Sequence, residues 1–97
     1  DEYMYRMLAH NIAREGSGCS LPGEALAMVR YHSCYPWHTK GEYARLQAPG
    51  DDKLKAAVLD FNSFDLYTKC ECEIDVGEVW PHYQALIDRY LPGKLDW

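Results

Sequence analysis

Leu54, Ala57, Val58, Phe61 and Phe64 return to one side of a helix turn after turn. No feature of the chain constrains its fold more, because apolar residues at this period share one face only on an α-helix. Asp51 and Asp52 stand ahead of the stripe as capping acids, and the spacing predicts a helix running to about Tyr67 or Lys69. The same period recurs in three other places. Tyr3, Met4, Met7, Leu8 and Ile12 predict a first helix over residues 1–14, with Asp1 and Glu2 at its positive end and Gly16-Ser17-Gly18 after it. Ser20-Leu21-Pro22-Gly23-Glu24 supplies a hydroxyl cap and a first-turn proline for a second helix. Its inner side carries Ala25, Leu26, Met28, Val29 and His32, and it must stop by Pro36, whose ring pushes Tyr35 out of the α region. Asp75-Val76-Gly77-Glu78 opens a last helix with Val79, Tyr83, Leu86, Ile87 and Tyr90 inward and Pro92-Gly93 as its stop. Residues 36–50 read as a connection holding at most a short helical piece over 42–46. No alternating strand pattern, hairpin dipeptide or repeat competes, so the class is all-α, about four helices of a bundle.

A chain of 97 residues is one domain at most and has little core to spare. A hydrophobic share of 47% with eight Tyr and three Trp excludes intrinsic disorder. The net charge is −5 with lysines and arginines scattered, which excludes a phosphate-tracking surface and so nucleic acid. No apolar run approaches the roughly 20 residues of a membrane span and no signal-peptide pattern opens the chain, so a cytoplasmic protein without a membrane partner is expected. The first residues already form a helical turn and no Met precedes them, so an upstream segment is expected. Cys19, Cys34, Cys70 and Cys72 sit in a chain with an intracellular type of aliphatic core and are expected as reduced thiols. Cys70 and Cys72 are spaced too closely for a CxxC zinc half-site.

Two polar residues fall on apolar faces. His32 shares a side with Ala25 and Val29, where a core histidine bonded to a carbonyl is the simplest account and metal ligation or acid–base chemistry the alternatives. Asp65 is in register with Val58 and Phe61. A buried carboxylate needs a cation, so either an ion pair, with Lys69 or Arg30, or a metal is implied. One His and one Asp on the inner faces of two helices are part of the way helical bundles build iron sites, but spacing identifies no further ligand. His10, His38 and His82, placed near a helix end, in a loop and beside Pro81, are not expected to be ligands.

The words Asp1-Glu2-Tyr3-Met4-Tyr5, then Arg30-Tyr31-His32-Ser33-Cys34-Tyr35-Pro36-Trp37-His38-Thr39, then Phe61-Asn62-Ser63-Phe64-Asp65-Leu66-Tyr67-Thr68-Lys69, resemble successive signatures of the myo-inositol oxygenases. The closing stretch 83–93 and Leu95-Asp96-Trp97 are similar to that family's C-terminus, so the resemblance spans the whole chain. It implies the C-terminal part, residues 1–97, of an HD-domain-like helical bundle holding two irons, with myo-inositol and O2 as substrates and D-glucuronate as product. Residue by residue, it implies that His32 and Asp65 ligate iron and that Ser33 contacts inositol, with His32 close to the same hydroxyls. Lys69 matches the family's lysine, as a substrate contact or as the ion-pair partner of Asp65. A further family ligand is a His directly before the Asp that matches Asp1, and most of the site lies upstream of it. Cys34 replaces the family's Phe, which could loosen the wall of the site. The 97 residues alone are therefore expected to be inactive and to self-associate through apolar faces left bare around Val29 and Phe61. The rival expectation is a non-catalytic helical interaction module derived from such a domain. An HD-type phosphate-ester hydrolase ranks lower, for want of a basic phosphate pocket.

Overall fold

A computed structural model describes residues 1–65 and 73–97. Its order is α1 (Glu2–Ala13), α2 (Gly23–Tyr31), α3 (Tyr35–His38), a 3-10 turn (Ala44–Leu46), α4 (Asp51–Asn62) and α5 (Val76–Tyr90). The described residues contain no strand, so the all-α class holds, and the short piece expected over 42–46 is the 3-10 turn. No described helix is long and apolar enough to cross a membrane.

Three local features depart from expectation, each for a local reason. The cap of α2 is Pro22, not Ser20; the Ser20 hydroxyl donates instead to the Arg89 carbonyl at 3.2 Å and its N–H to the Tyr90 carbonyl at 2.9 Å. α2 stops before Pro36 as expected, at Tyr31, but the ring does not push Tyr35 out of the helical region: Tyr35 opens α3 and Pro36 sits in its first turn, where a missing N–H costs nothing. The third sizeable helix, α4, ends at Asn62 rather than near Tyr67 or Lys69. There Ser63 folds its hydroxyl back onto the Asp60 carbonyl at 2.7 Å, and the N–H groups of Phe64 and Asp65 both close on Phe61, a side chain competing for the acceptor that would carry the helix on. Phe64 is 79% exposed as a result. At α5 the expected cap forms, with Asp75 Oδ1 accepting from Gly77 N at 2.8 Å and Glu78 N at 3.3 Å.

α2 lies against both α1 and α4, and α3 touches α4. Among the described residues the buried apolar ones are Met7, Leu8, Cys19, Ala27 and Val58, a small core. Val29 and Phe61, expected to be bare, are half-buried between α2 and α4. The bare apolar face is on α5, where Trp80, Tyr83, Leu86 and Ile87 are all exposed. The shape follows: a slab of 45 × 44 × 20 Å with a radius of gyration of 15.8 Å, where a closed domain of this size has about 13 Å.

The chain end is tied to α1. Asn11, with no exposed surface, donates from Nδ2 to the Met7 and Asp96 carbonyls at 2.8 and 2.9 Å and accepts the Asp96 N–H at 2.8 Å. Arg14 pairs with the Asp96 carboxylate at 3.1 Å. Gly18 permits the return of Pro92 past this loop: its φ is +71° and a Cβ there would stand 2.7 Å from Pro92 Cγ, so a side chain is excluded on both counts.

Candidate functional site

His32 closes α2, its N–H still bonded to the Met28 carbonyl at 3.0 Å. Its ring turns back onto the same helix, with Nδ1 3.1 Å from the Met28 oxygen and 3.2 Å from the Val29 oxygen. A carbonyl can only accept, so Nδ1 is the donor, and in the neutral ring Nε2 keeps its lone pair. Phe61 of α4 meets the ring edge-on, centroids 6.2 Å apart at 82°, and fixes its rotation. The free Nε2 stands 3.8 Å from Asp1 Oδ1, too far for a hydrogen bond. Both border an open pocket of about 510 Å³ whose other walls include Met4, Met28, Val29 and Phe61.

Asp1 is the site residue that spacing missed. It occupies the N-cap of α1, yet its side chain caps nothing; one carboxylate oxygen accepts the Ser33 hydroxyl while the other faces His32. An acid before a helix reads as a cap, so nothing in the sequence pointed to this use. Ser33, whose O–H donates to Asp1, still offers oxygen lone pairs to a ligand hydroxyl.

The neighbouring Glu2 locks α1 to α2. It accepts from Arg6 Nε at 2.8 Å and from Arg30 Nε at 2.7 Å. The Arg6 hydrogen bond, joined by Arg30 against the opposing pull of desolvation, holds the Glu2 carboxyl below its ordinary value. Arg30 lies 4.2 Å over the Tyr5 ring as well. It is therefore committed to Glu2 and is not the ion-pair partner expected for Asp65.

Asp65 is exposed, one turn beyond Phe61, with its N–H on the Phe61 carbonyl at 3.1 Å. The buried position expected for it is corrected by the early end of α4. Lys69, Cys70 and Cys72 lie outside the described residues, while Cys19 and Cys34 are free thiols. Cys34 does not line the His32 pocket. It faces a separate cavity of about 200 Å³ with Tyr31, Trp37 and Leu54, so the small side chain leaves the wall around His32 untouched. His10 is exposed, 4.0 Å from the Asp96 carboxylate, and His82 is exposed against Tyr83. His38 is buried, its Nε2 2.9 Å from the His32 carbonyl.

The donor set bears on metal. A histidine with one ring nitrogen protonated on a backbone carbonyl and the other bare is the form that binds metal ions, and His32 has it. Asp1 adds a hard oxygen donor alongside. Among the described residues no three His, Cys, Asp or Glu side chains converge, and two donors do not by themselves define a metal site.

The family model described as myo-inositol oxygenase matches residues 1–97. The chain is 48% identical over its whole length to an inositol oxygenase of Mus musculus, covering 32% of that protein. It is 50% identical over its whole length to an inositol oxygenase of Sus scrofa, again covering 32%, and 42% identical to one of Dictyostelium discoideum, covering 31%. The chain thus spans about a third of the length of the curated relatives it matches.

Proposed function

Because the chain belongs to the myo-inositol oxygenase family, we propose that residues 1–97 are the C-terminal part of an HD-domain-like enzyme that cleaves the ring of myo-inositol with O2 to give D-glucuronate. The observation that carries this is the state of His32: Nδ1–H on two backbone carbonyls, Nε2 bare, facing a pocket beside a carboxylate. In the proposal His32 and Asp65 are iron ligands, a borderline imidazole nitrogen and a hard carboxylate oxygen suited to a site that holds iron in two oxidation states. The two irons, when bound, supply the redox chemistry with O2. The protein's own part is positional. Phe61 and the end of α2 hold the imidazole at one angle, and Ser33 accepts a hydrogen bond from an inositol hydroxyl while its own O–H donates to Asp1. The apolar wall of Met4, Met28 and Val29 excludes water from the ring carbons. Asp65 is brought inward when upstream helices cover the open side of the slab, which is also where the remaining ligands come from. The protein works in the cytoplasm.

The test sets the 97-residue chain against a longer protein carrying an upstream segment, both purified anaerobically with Fe(II). The longer protein should hold two irons and form glucuronate. The short chain should do neither, and light scattering should show it associating through the bare face of α5. A monomeric 97-residue chain with two tightly held irons and turnover would overturn the proposal.

A further inference from the structure

His38 was set aside in the sequence as a loop residue, yet it is among the most buried polar side chains described, at 3% exposure. Its Nε2 lies 2.9 Å from the backbone carbonyl of His32, six residues back. That carbonyl belongs to the last turn of α2, where helix acceptors run out of donors. Had the helix continued, it would have met the N–H of residue 36, but Pro36 has none. The imidazole of His38 supplies the missing donor. A carbonyl only accepts, so the proton is on Nε2 and Nδ1 is a lone pair. Nδ1 is itself buried with no partner among the described residues. The ring keeps the bond to His32 although its other nitrogen goes unpaired, and a buried polar atom left in that condition calls for a reason.

The reason is in what the bond spans. Between its ends lie residues 33–37, with Ser33 and Cys34 at the corner where α2 turns into α3. Cys34 donates to the Tyr31 carbonyl at 2.8 Å and accepts from the N–H groups of Trp37 and His38. The side-chain bond from His38 closes this corner from the far side. We propose that His38 is a positioning residue: by donating to the His32 carbonyl it fixes the peptide between His32 and Ser33, and so sets the imidazole and the hydroxyl at one separation and angle toward the substrate. This rests on the site proposed above, since it concerns how His32 and Ser33 are presented and not what they bind.

The test compares the full-length enzyme, loaded anaerobically with Fe(II), as wild type, His38→Ala, His38→Gln and Ser33→Ala. The readouts are iron per chain, inositol affinity by calorimetry, KM and kcat for inositol, and the thermal midpoint. His38→Ala should retain iron and lose inositol affinity about tenfold, because a contact displaced by a fraction of an ångström weakens steeply. His38→Gln should recover that affinity, because its side-chain amide places a neutral donor near the position of Nε2. A purely structural role would lower the thermal midpoint and leave the affinity of the folded protein unchanged. Wild-type affinity in His38→Ala overturns the proposal, as does a His38→Gln variant no better than His38→Ala. Failure of both variants to fold overturns it too, by making His38 a residue of the fold alone. Ser33→Ala separates the two levels: if it leaves inositol affinity unchanged, the proposed site fails and this inference falls with it. If Ser33→Ala weakens inositol while His38→Ala does not, only the positioning role is lost.

Discussion

The two ends of α1 carry polar clusters of opposite kind. At its C-terminal end Asn11 is fully enclosed, and both sides of its amide are used, on Met7 and on the Asp96 backbone. At its N-terminal end Asp1 caps nothing, meets the Ser33 hydroxyl, and leaves His32 Nε2 bare at 3.8 Å. A buried amide whose donor and acceptor are both matched holds a fold together. A cluster that keeps a lone pair facing an open pocket has capacity left for a ligand. The contrast predicts that substitutions at the two ends fail in different assays.

The largest effect is expected at the open end. In the full-length enzyme, His32→Ala and Asp65→Ala should each lower iron per chain and reduce glucuronate formation by on the order of a hundredfold or more, since each removes a proposed ligand. Iron and product are measured on the same preparation. Wild-type iron and activity in either variant would remove that residue from the ligand set.

At the closed end, Asn11→Ala should cost about 1–3 kcal/mol of stability, because it strands the Asp96 N–H and carbonyl next to a buried space. Thermal or denaturant unfolding reads this directly. The folded fraction should keep its iron and its inositol affinity. Loss of iron from protein that remains folded would erase the distinction between the two ends.

Smaller again is the effect of Ser33→Ala, which should leave iron bound and weaken inositol by about 0.5–1.5 kcal/mol, the usual worth of one hydrogen bond. Titration calorimetry with inositol decides it, and unchanged affinity would place Ser33 outside the substrate contacts.

What the sequence made legible divides along the same line. Helical periodicity located the four longer helices because each side chain on those faces answers to a local period, and Asp75 was found as a cap because capping is also local. His32 stood out for the same reason, a polar residue in an apolar register. Asp1 did not, since its use depends on α2 turning back onto the start of α1, a relation across 32 positions with no local trace. His38 was misplaced because a histidine after Pro36 and Trp37 reads as loop, although the missing N–H of Pro36 hinted that some side chain had to serve the His32 carbonyl. Asp65 was expected inside because the stripe of α4 was counted past Ser63, whose hydroxyl competes for the helix's acceptors.

The smallest effect tests what keeps Asp1 in place. Glu2, its neighbour, is bridged to Arg6 on its own helix and to Arg30 on α2, and this clamp holds the start of α1 against the end of α2 where Asp1 meets Ser33 and His32. Because the Arg6 bond and then the Arg30 bond hold the Glu2 carboxyl below 4.5, folding favours the ionised form. The sign follows: the clamp's contribution is whole above about pH 4.5 and is lost as the pH falls through the lower value of the folded state. Wild-type and Glu2→Gln proteins should therefore differ by a small, constant gap in thermal midpoint from pH 7 down to about 4.5, and the gap should close at more acid pH. The group is at the surface, so added salt should narrow the gap at neutral pH as well. Equal midpoints at pH 7, or a gap that persists unchanged at pH 3, would show that the two helices are held without Glu2. The position of Asp1 would then depend on its bond to Ser33 alone, and Ser33→Ala would have to disturb His32 as well as inositol.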